Sequence, residues 1–203
     1  PFDTEFLRWM LSDGAGAALV QNRPHPSGLS LRNDWIQIRS HADRYPLCMY
    51  AGANKDSQGS IGKGWLDYSS FEAAARDGAR NLKQDFRLLD DVVKLGVNVL
   101  FELIESGKVN PDELDWIVCH YSSEFFKSRI FELLELGGVR LPAERWFSNL
   151  ASKGNVGSAS TFVLLEELFN EGSLSPGQQL LLMIPESGRS TMGYAKLTVV
   201  GDV

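Results

Sequence analysis

The sequence predicts an α/β fold in which a mixed β-sheet is layered with helices. Three observations support this class: apolar segments of strand length alternate with helical patterns, one long segment has clear helical spacing, and the chain ends in two consecutive strand patterns. The chain has 203 residues, of which 43% are hydrophobic and 23% charged, enough for one sizeable core. We therefore expect one domain over residues 1–203.

The first predicted element is a strand that enters a tight glycine turn. Apolar residues 6–11 lead into the small residues Ser12–Ala17, and Ala17–Val20 resumes a strand-like apolar run. A second strand is predicted at Asp34–Ser40, where Trp35, Gln37 and Arg39 alternate with Ile36 and Ile38. Residues 40–64 show little periodicity and predict a long irregular loop.

The clearest helical pattern lies between Phe71 and Ser106. Its apolar residues recur every three or four positions, at Phe86, Leu89, Val93, Val97, Leu100 and Ile104. Gly107 is a typical helix end, and residues 110–114 predict a turn. The apolar strand Trp116–Cys119 follows, so that His120 comes at its carboxyl end.

The remaining elements continue the alternation of helices and strands. Ser122 or Ser123 can cap a helix through about Leu136, which the pair Gly137-Gly138 ends. The rest of the chain predicts a short strand at Arg145–Ser148, a polar turn at Asn149–Gly157, a helix over Ser158–Phe169 with Phe162, Leu165 and Phe169 on one side, and strands at Gln178–Ile184 and Tyr194–Val200.

Charge and composition exclude several classes of function. The net charge of −6 is spread along the chain, so we expect no nucleic acid and no anionic membrane as partner. Neither a membrane-length apolar run nor a signal-peptide profile is visible, which predicts a cytoplasmic protein. The start at Pro1, already close to dense apolar residues, suggests a fragment. Cys48 and Cys119 have no partner spacing for zinc, so we expect reduced thiols and no metal.

Three turns that follow predicted strands are candidates for chemistry: residues 13–16, Cys119-His120 and residues 154–160. In α/β sheets, ligands gather beyond the carboxyl ends of the strands. His120 and Asn155 could meet there as paired hydrogen-bond donors and form an oxyanion hole for a thioester carbonyl or an enolate. Taken singly, His120 is equally well explained as a structural histidine, and Asn155 as a helix-cap or turn residue.

The segments around these residues resemble one family. Ser12-Asp13-Gly14-Ala15-Gly16-Ala17 matches its glycine-rich turn, Leu114–His120 its strand into a catalytic histidine, and Gly154–Ser160 its asparagine loop. The family is that of the β-ketoacyl-acyl-carrier-protein synthase III condensing enzymes. The chain is similar to their C-terminal half, in the same order and with the same separations.

The resemblance implies half of a pseudo-symmetric thiolase fold in a homodimeric acyltransferase. That enzyme class joins an acyl thioester to malonyl-ACP by decarboxylative Claisen condensation, with acyl carrier protein or coenzyme A thioesters as substrates and no cofactor. His120 and Asn155 would stabilise the enolate, and the nucleophilic cysteine would lie upstream of Pro1. The isolated chain is therefore expected to be inactive. Cys119 is better explained as a buried core thiol, and the role of Cys48 stays open.

The sequence departs from the family pattern in two places. The family has a basic residue five positions after the histidine, where acidic carrier protein docks, but this chain has Phe125 there. Lys127 and Arg129 could take over this role, or they could be ordinary solvated charges of the helix. The last loop lacks the family's run of glycines and has Glu186–Thr191, so Ser187 and Gly188 would shape the acyl site differently. A specialised condensing enzyme of secondary metabolism fits this change, and both fatty acid and polyketide biosynthesis stay open.

Two alternatives to a condensing enzyme remain. A non-catalytic partner subunit would keep the fold and shape an active homologue, and the presence of a cysteine in the upstream half would discriminate the two. A nucleotide-binding domain is disfavoured, because no Lys, Ser or Thr follows the glycine turn at phosphate-binding spacing.

Overall fold

One five-stranded sheet organises the chain, of which the computed structural model describes residues 2–201. The strands are β1 (Leu29–Ser40), β2 (Met49–Tyr50), β3 (Ala53–Lys55), β4 (Ile61–Gly64), β5 (Lys83–Gln84), β6 (Trp116–Cys119), β7 (Trp146–Phe147), β8 (Gln179–Glu186) and β9 (Thr191–Gly201). The large sheet has the order β1-β9-β8-β6-β7, with β6 parallel to β7 and β8, and β9 antiparallel to β1 and β8. The predicted mixed α/β class is confirmed.

Helices cover both faces of this sheet. They are α1 (Phe2–Met10), α2 (Phe71–Arg76), α3 (Leu89–Glu105), α4 (Glu124–Leu136), α5 (Leu150–Lys153) and α6 (Ser160–Asn170). Strand β6 shows the division: Ile117 and Cys119 pack into the core beneath α3 and α4, whereas Val118 packs into the core beneath α6. Among the described helices, none is long and apolar enough to cross a membrane.

Helix α3 has the predicted apolar face, but it begins later in the chain than predicted. It begins at Leu89, and the residues from Phe71 to Arg76 form the separate helix α2. Leu100 and Val97 are at most 2% exposed, whereas Phe86 is 43% exposed. The buried Tyr194 hydroxyl donates a hydrogen bond to the Gly96 carbonyl at 2.6 Å, which ties α3 to β9.

The predicted N-terminal strand is wrong. Residues 2–10 form α1, whose Leu7 is 4% exposed, because the apolar residues of this segment also recur at helical spacing. The strand expected at Ala17–Val20 has no ladder partner within the described part of the chain, and Leu19 and Val20 are each 86% exposed. Strand formation depends on a neighbouring strand, which the local pattern cannot supply.

Two predicted loops contain regular structure. Residues 40–64 include β2, β3 and β4, where β2 pairs with β5 and β3 pairs with β4. The ion pair between Lys55 Nζ and Asp85 Oδ2, 3.0 Å long, holds this subregion against the segment before α3. The predicted turn at Asn149–Gly157 contains the one-turn helix α5.

Strand β1 has the predicted alternation, with an irregularity in its register between Asn33 and Trp35. After this point Trp35 packs against the core beneath α3 and α4. Ile36 and Ile38, on the other face, are 61% and 66% exposed.

Candidate active site

A cavity of about 120 Å³ lies at the carboxyl ends of β6 and β8. Most of its wall is apolar and comes from α1, α3, α4, β8 and β9, including Leu7, Val92, Phe126, Met183 and Met192. Its polar side chains include Gln84, His120, Tyr121, Ser122, Asn155 and Ser187. The two candidate oxyanion-hole residues, His120 and Asn155, thus line one cavity.

The end of β6 fixes the position of His120. Its backbone N–H donates to the Met183 carbonyl at 2.9 Å, which extends the parallel pairing of β6 and β8 by one residue. Burial lowers the pKa of His120 below its ordinary value of 6.5. At neutral pH the imidazole is therefore mainly neutral, with one ring N–H that can donate a hydrogen bond.

The loop between α5 and α6 holds Asn155, which is 4% exposed. Gly154 precedes it with φ +72°, a conformation that glycine adopts without strain. The side-chain oxygen of Asn155 accepts the Gly157 N–H at 2.9 Å. This bond fixes the orientation of the amide, and its Nδ2 is the atom that can donate to a ligand.

The glycine-rich segment 12–16 packs directly on the asparagine loop. Ser12 N–H donates to the Asn155 carbonyl at 2.7 Å. A Cβ at Gly14 would come within 2.7 Å of Val156 Cγ1, and a Cβ at Gly16 within 2.4 Å of Phe162 Cβ. These glycines allow a close backbone approach, so two of the three turns selected from the sequence are in contact.

The other predicted site residues are divided between the cavity and the surface. Ser187 lines the cavity, whereas the Gly188 N–H donates to the Glu186 carboxylate in the turn beside it. Lys127 and Arg129 lie on α4 in ion pairs: Lys127 Nζ is 4.0 Å from Glu124, and Arg129 contacts Asp90 at 2.9 Å and Glu132 at 2.6 Å. A role of Lys127 and Arg129 in docking carrier protein stays a prediction.

Neither cysteine has the environment of a nucleophile. Burial, followed by the nearby Asp85 carboxylate, raises the pKa of Cys48 to about 11. Burial alone raises the pKa of Cys119, which is 3% exposed in the core. Because both pKa values are raised, both thiols are protonated at neutral pH. Reactive cysteines instead have lowered pKa values and partial exposure.

Gln84 is a polar cavity residue that the sequence analysis did not identify. It lies in the two-residue strand β5 and is 3% exposed. Its side-chain nitrogen donates to Ser187 Oγ at 3.1 Å, although the two residues are 103 positions apart. A single glutamine in a short polar segment carries no sequence signal of such a contact. In the described part of the chain, His, Cys, Asp and Glu side chains form no group of three that could hold a metal ion.

Comparison with known proteins finds similarity to one group of enzymes. Residues 104–193, which include both His120 and Asn155, match the family described as 3-oxoacyl-[acyl-carrier-protein] synthase III C terminal. The chain is similar to the C-terminal half of these synthases. It is 22% identical over 169 residues to the β-ketoacyl-[acyl-carrier-protein] synthase III of Trichormus variabilis, covering 82% of this chain and 45% of that protein.

Two further relatives of the synthase III group agree. A Streptomyces coelicolor β-ketoacyl-[acyl-carrier-protein] synthase III is 35% identical over 86 residues, which cover 42% of this chain and 24% of that protein. The crystal structure of the Pseudomonas aeruginosa 3-oxoacyl-(acyl carrier protein) synthase III superposes with a TM-score of 0.58 at 18% identity, covering 83% of this chain and 44% of that one. The thiolase-like fold is confirmed, and the chain spans less than half the length of these synthases.

Proposed function

We propose that this chain supplies the oxyanion hole of an acyltransferase that joins an acyl thioester to malonyl-ACP by decarboxylative Claisen condensation. The observation that carries the proposal is the convergence of a neutral His120 and an amide-donating Asn155 on one largely apolar cavity. Two such donors stabilise negative charge on a thioester oxygen most strongly where water is excluded.

In the proposed reaction, a cysteine thiolate outside these 203 residues first takes the acyl group, and the original thiol leaves. The malonyl thioester then loses carbon dioxide, and the electrons of the broken carbon–carbon bond move onto the thioester as an enolate. His120 and Asn155 donate hydrogen bonds to the enolate oxygen. Its carbon attacks the acyl-cysteine carbonyl, so that a carbon–carbon bond forms and the cysteine thiolate is released.

The partners that we propose for the full-length enzyme are based on the names of the matched synthases. The matched synthases are named for acyl carrier protein, and we propose an acyl-carrier-protein thioester as extender and a carrier-protein or coenzyme A thioester as acyl donor. We also propose a homodimer in the cytoplasm that works without a bound cofactor. The changed loop Glu186–Thr191 fits a specialised, polyketide-type product.

Substitution of the two donors in the full-length protein tests the proposal. The enolate charge appears only as carbon dioxide leaves, so His120→Ala and Asn155→Ala should each lower the condensation rate about a hundred- to a thousandfold and change substrate binding much less. Acylation of the cysteine, assayed separately with labelled acyl thioester, should fall less than condensation. His25→Ala and Asn33→Ala, at exposed positions, serve as matched controls.

Two outcomes would contradict this assignment. If His120→Ala kept condensation within about threefold of wild type, His120 would be structural and the chain would act as a non-catalytic partner subunit. If acyl thioester labelled Cys48 or Cys119 stoichiometrically, the nucleophile would lie within these 203 residues. Peptide mapping by mass spectrometry identifies the labelled cysteine.

A further inference from the structure

A second cavity, of about 10 Å³, adjoins the first. The two cavities share Cys119, His120 and Tyr121 in their walls. The rest of the small cavity is lined by residues that follow β7, by α5 and α6, and by the loop between these helices. A cavity needs roughly 10 to 15 Å³ to hold one water molecule, so this one has room for a single water.

Two hydroxyl groups in the wall of the small cavity have no hydrogen-bond partner. They belong to Tyr121 and Ser160, and the hydroxyl oxygen of each is buried and unbonded within residues 2–201. The Tyr121 hydroxyl lies near Ser148, but the two side chains do not form a hydrogen bond. Because the large majority of buried polar groups are paired with protein or with ordered water, these hydroxyls indicate a bound water.

The ring of His120 also needs a partner. Burial is the only cause of its lowered pKa, and no hydrogen bond between the ring and another described residue contributes. A neutral imidazole has one N–H and one bare nitrogen, and the hydrogen bond that one nitrogen makes decides which of the two carries the proton. An oxyanion hole needs the tautomer whose N–H is directed at the thioester oxygen.

We propose that one water molecule in the small cavity bridges the hydroxyls of Tyr121 and Ser160 to a ring nitrogen of His120. This inference rests on the proposed function, in which His120 donates a hydrogen bond. The water accepts both hydroxyl protons and donates one of its own to the bare nitrogen, so the ring keeps its proton on the other nitrogen. Tyr121 and Ser160 are thus positioning residues, which act on the reaction through His120.

Hydrogen bonds, and not a neighbouring charge, decide this tautomer. Among the described residues that line the two cavities, none is an aspartate, glutamate, lysine or arginine. Besides His120, their titratable residues are Cys119, Tyr121 and Tyr194, and burial raises the pKa of all three. All three are therefore neutral at pH 7, and Tyr121 keeps the hydroxyl proton that it donates to the water.

A crystal structure of the full-length protein, at a resolution that shows ordered water, tests the site directly. One water should lie within hydrogen-bond distance of the Tyr121 hydroxyl, the Ser160 hydroxyl and one ring nitrogen of His120. If no water contacts these three groups, or if the two hydroxyls bond to protein groups instead, the proposed bridge is overturned.

Imidazole 15N NMR of the full-length protein tests the role of the water, because the two neutral tautomers have different 15N shifts. The signals of His120 are those that disappear in His120→Gln. In the double variant Tyr121→Phe/Ser160→Ala, the water is free to accept a proton from the ring, so the ratio of the two tautomers should fall about tenfold. The condensation rate should fall in proportion to the loss of the donating tautomer. Tyr45→Phe/Ser158→Ala, at exposed positions, should preserve both quantities.

The outcomes separate the bridge from the condensing function. If the double variant keeps the wild-type tautomer ratio, the positioning role is overturned, and the condensing function still stands or falls with His120→Ala. If the water and the tautomer shift are found but the full-length protein does not condense, the water site stands and the proposed function fails. Should the double variant not fold, the single variants Tyr121→Phe and Ser160→Ala each remove one hydroxyl and give the same comparison.

Discussion

At the scale of single residues, the site depends on a histidine that burial keeps neutral. The pKa of His120 lies below 6.5 because burial disfavours the imidazolium. The unfolded chain then binds a proton that the folded chain does not, at pH values between the lowered pKa and 6.5. The contribution of His120 to stability is therefore complete above about pH 6.5 and declines as the pH falls through the lowered pKa.

We expect this linkage to be visible in the free energy of unfolding. Between pH 7.5 and 5.5 the wild-type protein should lose up to about 1 kcal/mol more than His120→Gln, which has no titrating group at this position. Denaturant titration at both pH values measures the difference. Asn155→Ala, which changes a non-titrating neighbour in the same cavity, should keep the pH dependence of the wild type. Equal slopes for wild type and His120→Gln would show that His120 is not buried as described.

Asp85 is a second residue whose charge is built into the fold. A hydrogen bond from the Arg87 guanidinium holds the pKa of Asp85 down at about 2, and Lys55 acts in the same direction against the cost of burial. The Asp85 side chain is 4% exposed. Since its folded pKa is depressed, the stability it contributes is complete above about pH 4 and is lost as the pH falls through 2.

Asp85→Asn should therefore lower the free energy of unfolding by about 2 kcal/mol at pH 7, the equivalent of the pKa depression. At pH 2 the variant and the wild type should differ much less, because Asp85 is then about half protonated in the folded state and almost fully protonated in the unfolded state, so that most of its contribution is lost. Urea titrations at pH 7 and pH 2 give both values. The matched control is Asp43→Asn in an exposed ion pair, which should cost less than about 0.5 kcal/mol. A loss at pH 2 as large as at pH 7 would assign the effect to packing and not to charge.

At the scale of elements, the asparagine loop is positioned by the glycine-rich segment that crosses it. Gly14→Ala would place a Cβ 2.7 Å from Val156 Cγ1, so segment 12–16 has to move away from the loop. We expect the Ser12 N–H, which bonds to the Asn155 carbonyl, to exchange with solvent about tenfold faster. Gly193→Ala, with 3.5 Å available to Ile184, is the control and should leave that exchange unchanged. Unchanged exchange in Gly14→Ala would mean that the segment does not hold the loop.

Helices and strands were predictable where the spacing of apolar residues along a segment matches only one kind of element. The spacing of apolar residues is enough to locate α3, and the apolar run before His120 is enough to locate β6. The prediction of a strand within residues 2–10 failed because a short apolar run is compatible with both helix and strand. The helix α6 was located, but the side with Phe162 is partly exposed and the opposite side, with Leu164 and Leu168, is buried. A helix that is apolar on both sides gives no local signal of which side packs first.

The candidate site was predictable only where its residues follow elements with a clear sequence pattern. His120 and Asn155 follow elements with clear patterns, so their placement at one sheet edge followed from strand order. The Gln84–Ser187 contact joins a two-residue strand to a turn, and no periodicity encodes a contact over 103 positions.

At the scale of the whole molecule, one sheet face is covered only in part. Ile36 and Ile38 pair with Ala195 and Gly193, so they lie on the α6 side of the sheet. Both are more than 60% exposed and, two positions apart on one strand, they are neighbours on the same face. Contiguous exposed apolar side chains usually mark an interface. Because the chain spans less than half the length of its relatives, we expect the rest of a protein built like them to cover this face.

The double variant Ile36→Thr/Ile38→Thr tests this expectation in the full-length protein. Threonine keeps the branched shape that suits a strand, so the change mainly removes apolar surface. If the face is covered, the free energy of unfolding should fall by about 2 kcal/mol or more, since burial of each isoleucine contributes about 1.5 to 3 kcal/mol. If the face stays in water, the change should remain within about 0.5 kcal/mol, as for other surface substitutions. Leu136→Ala, 76% exposed at the end of α4, is the matched control. A drop confined to the double variant would show that the α6 face is an internal boundary of the longer protein, whereas an equal response of both variants would remove that interpretation.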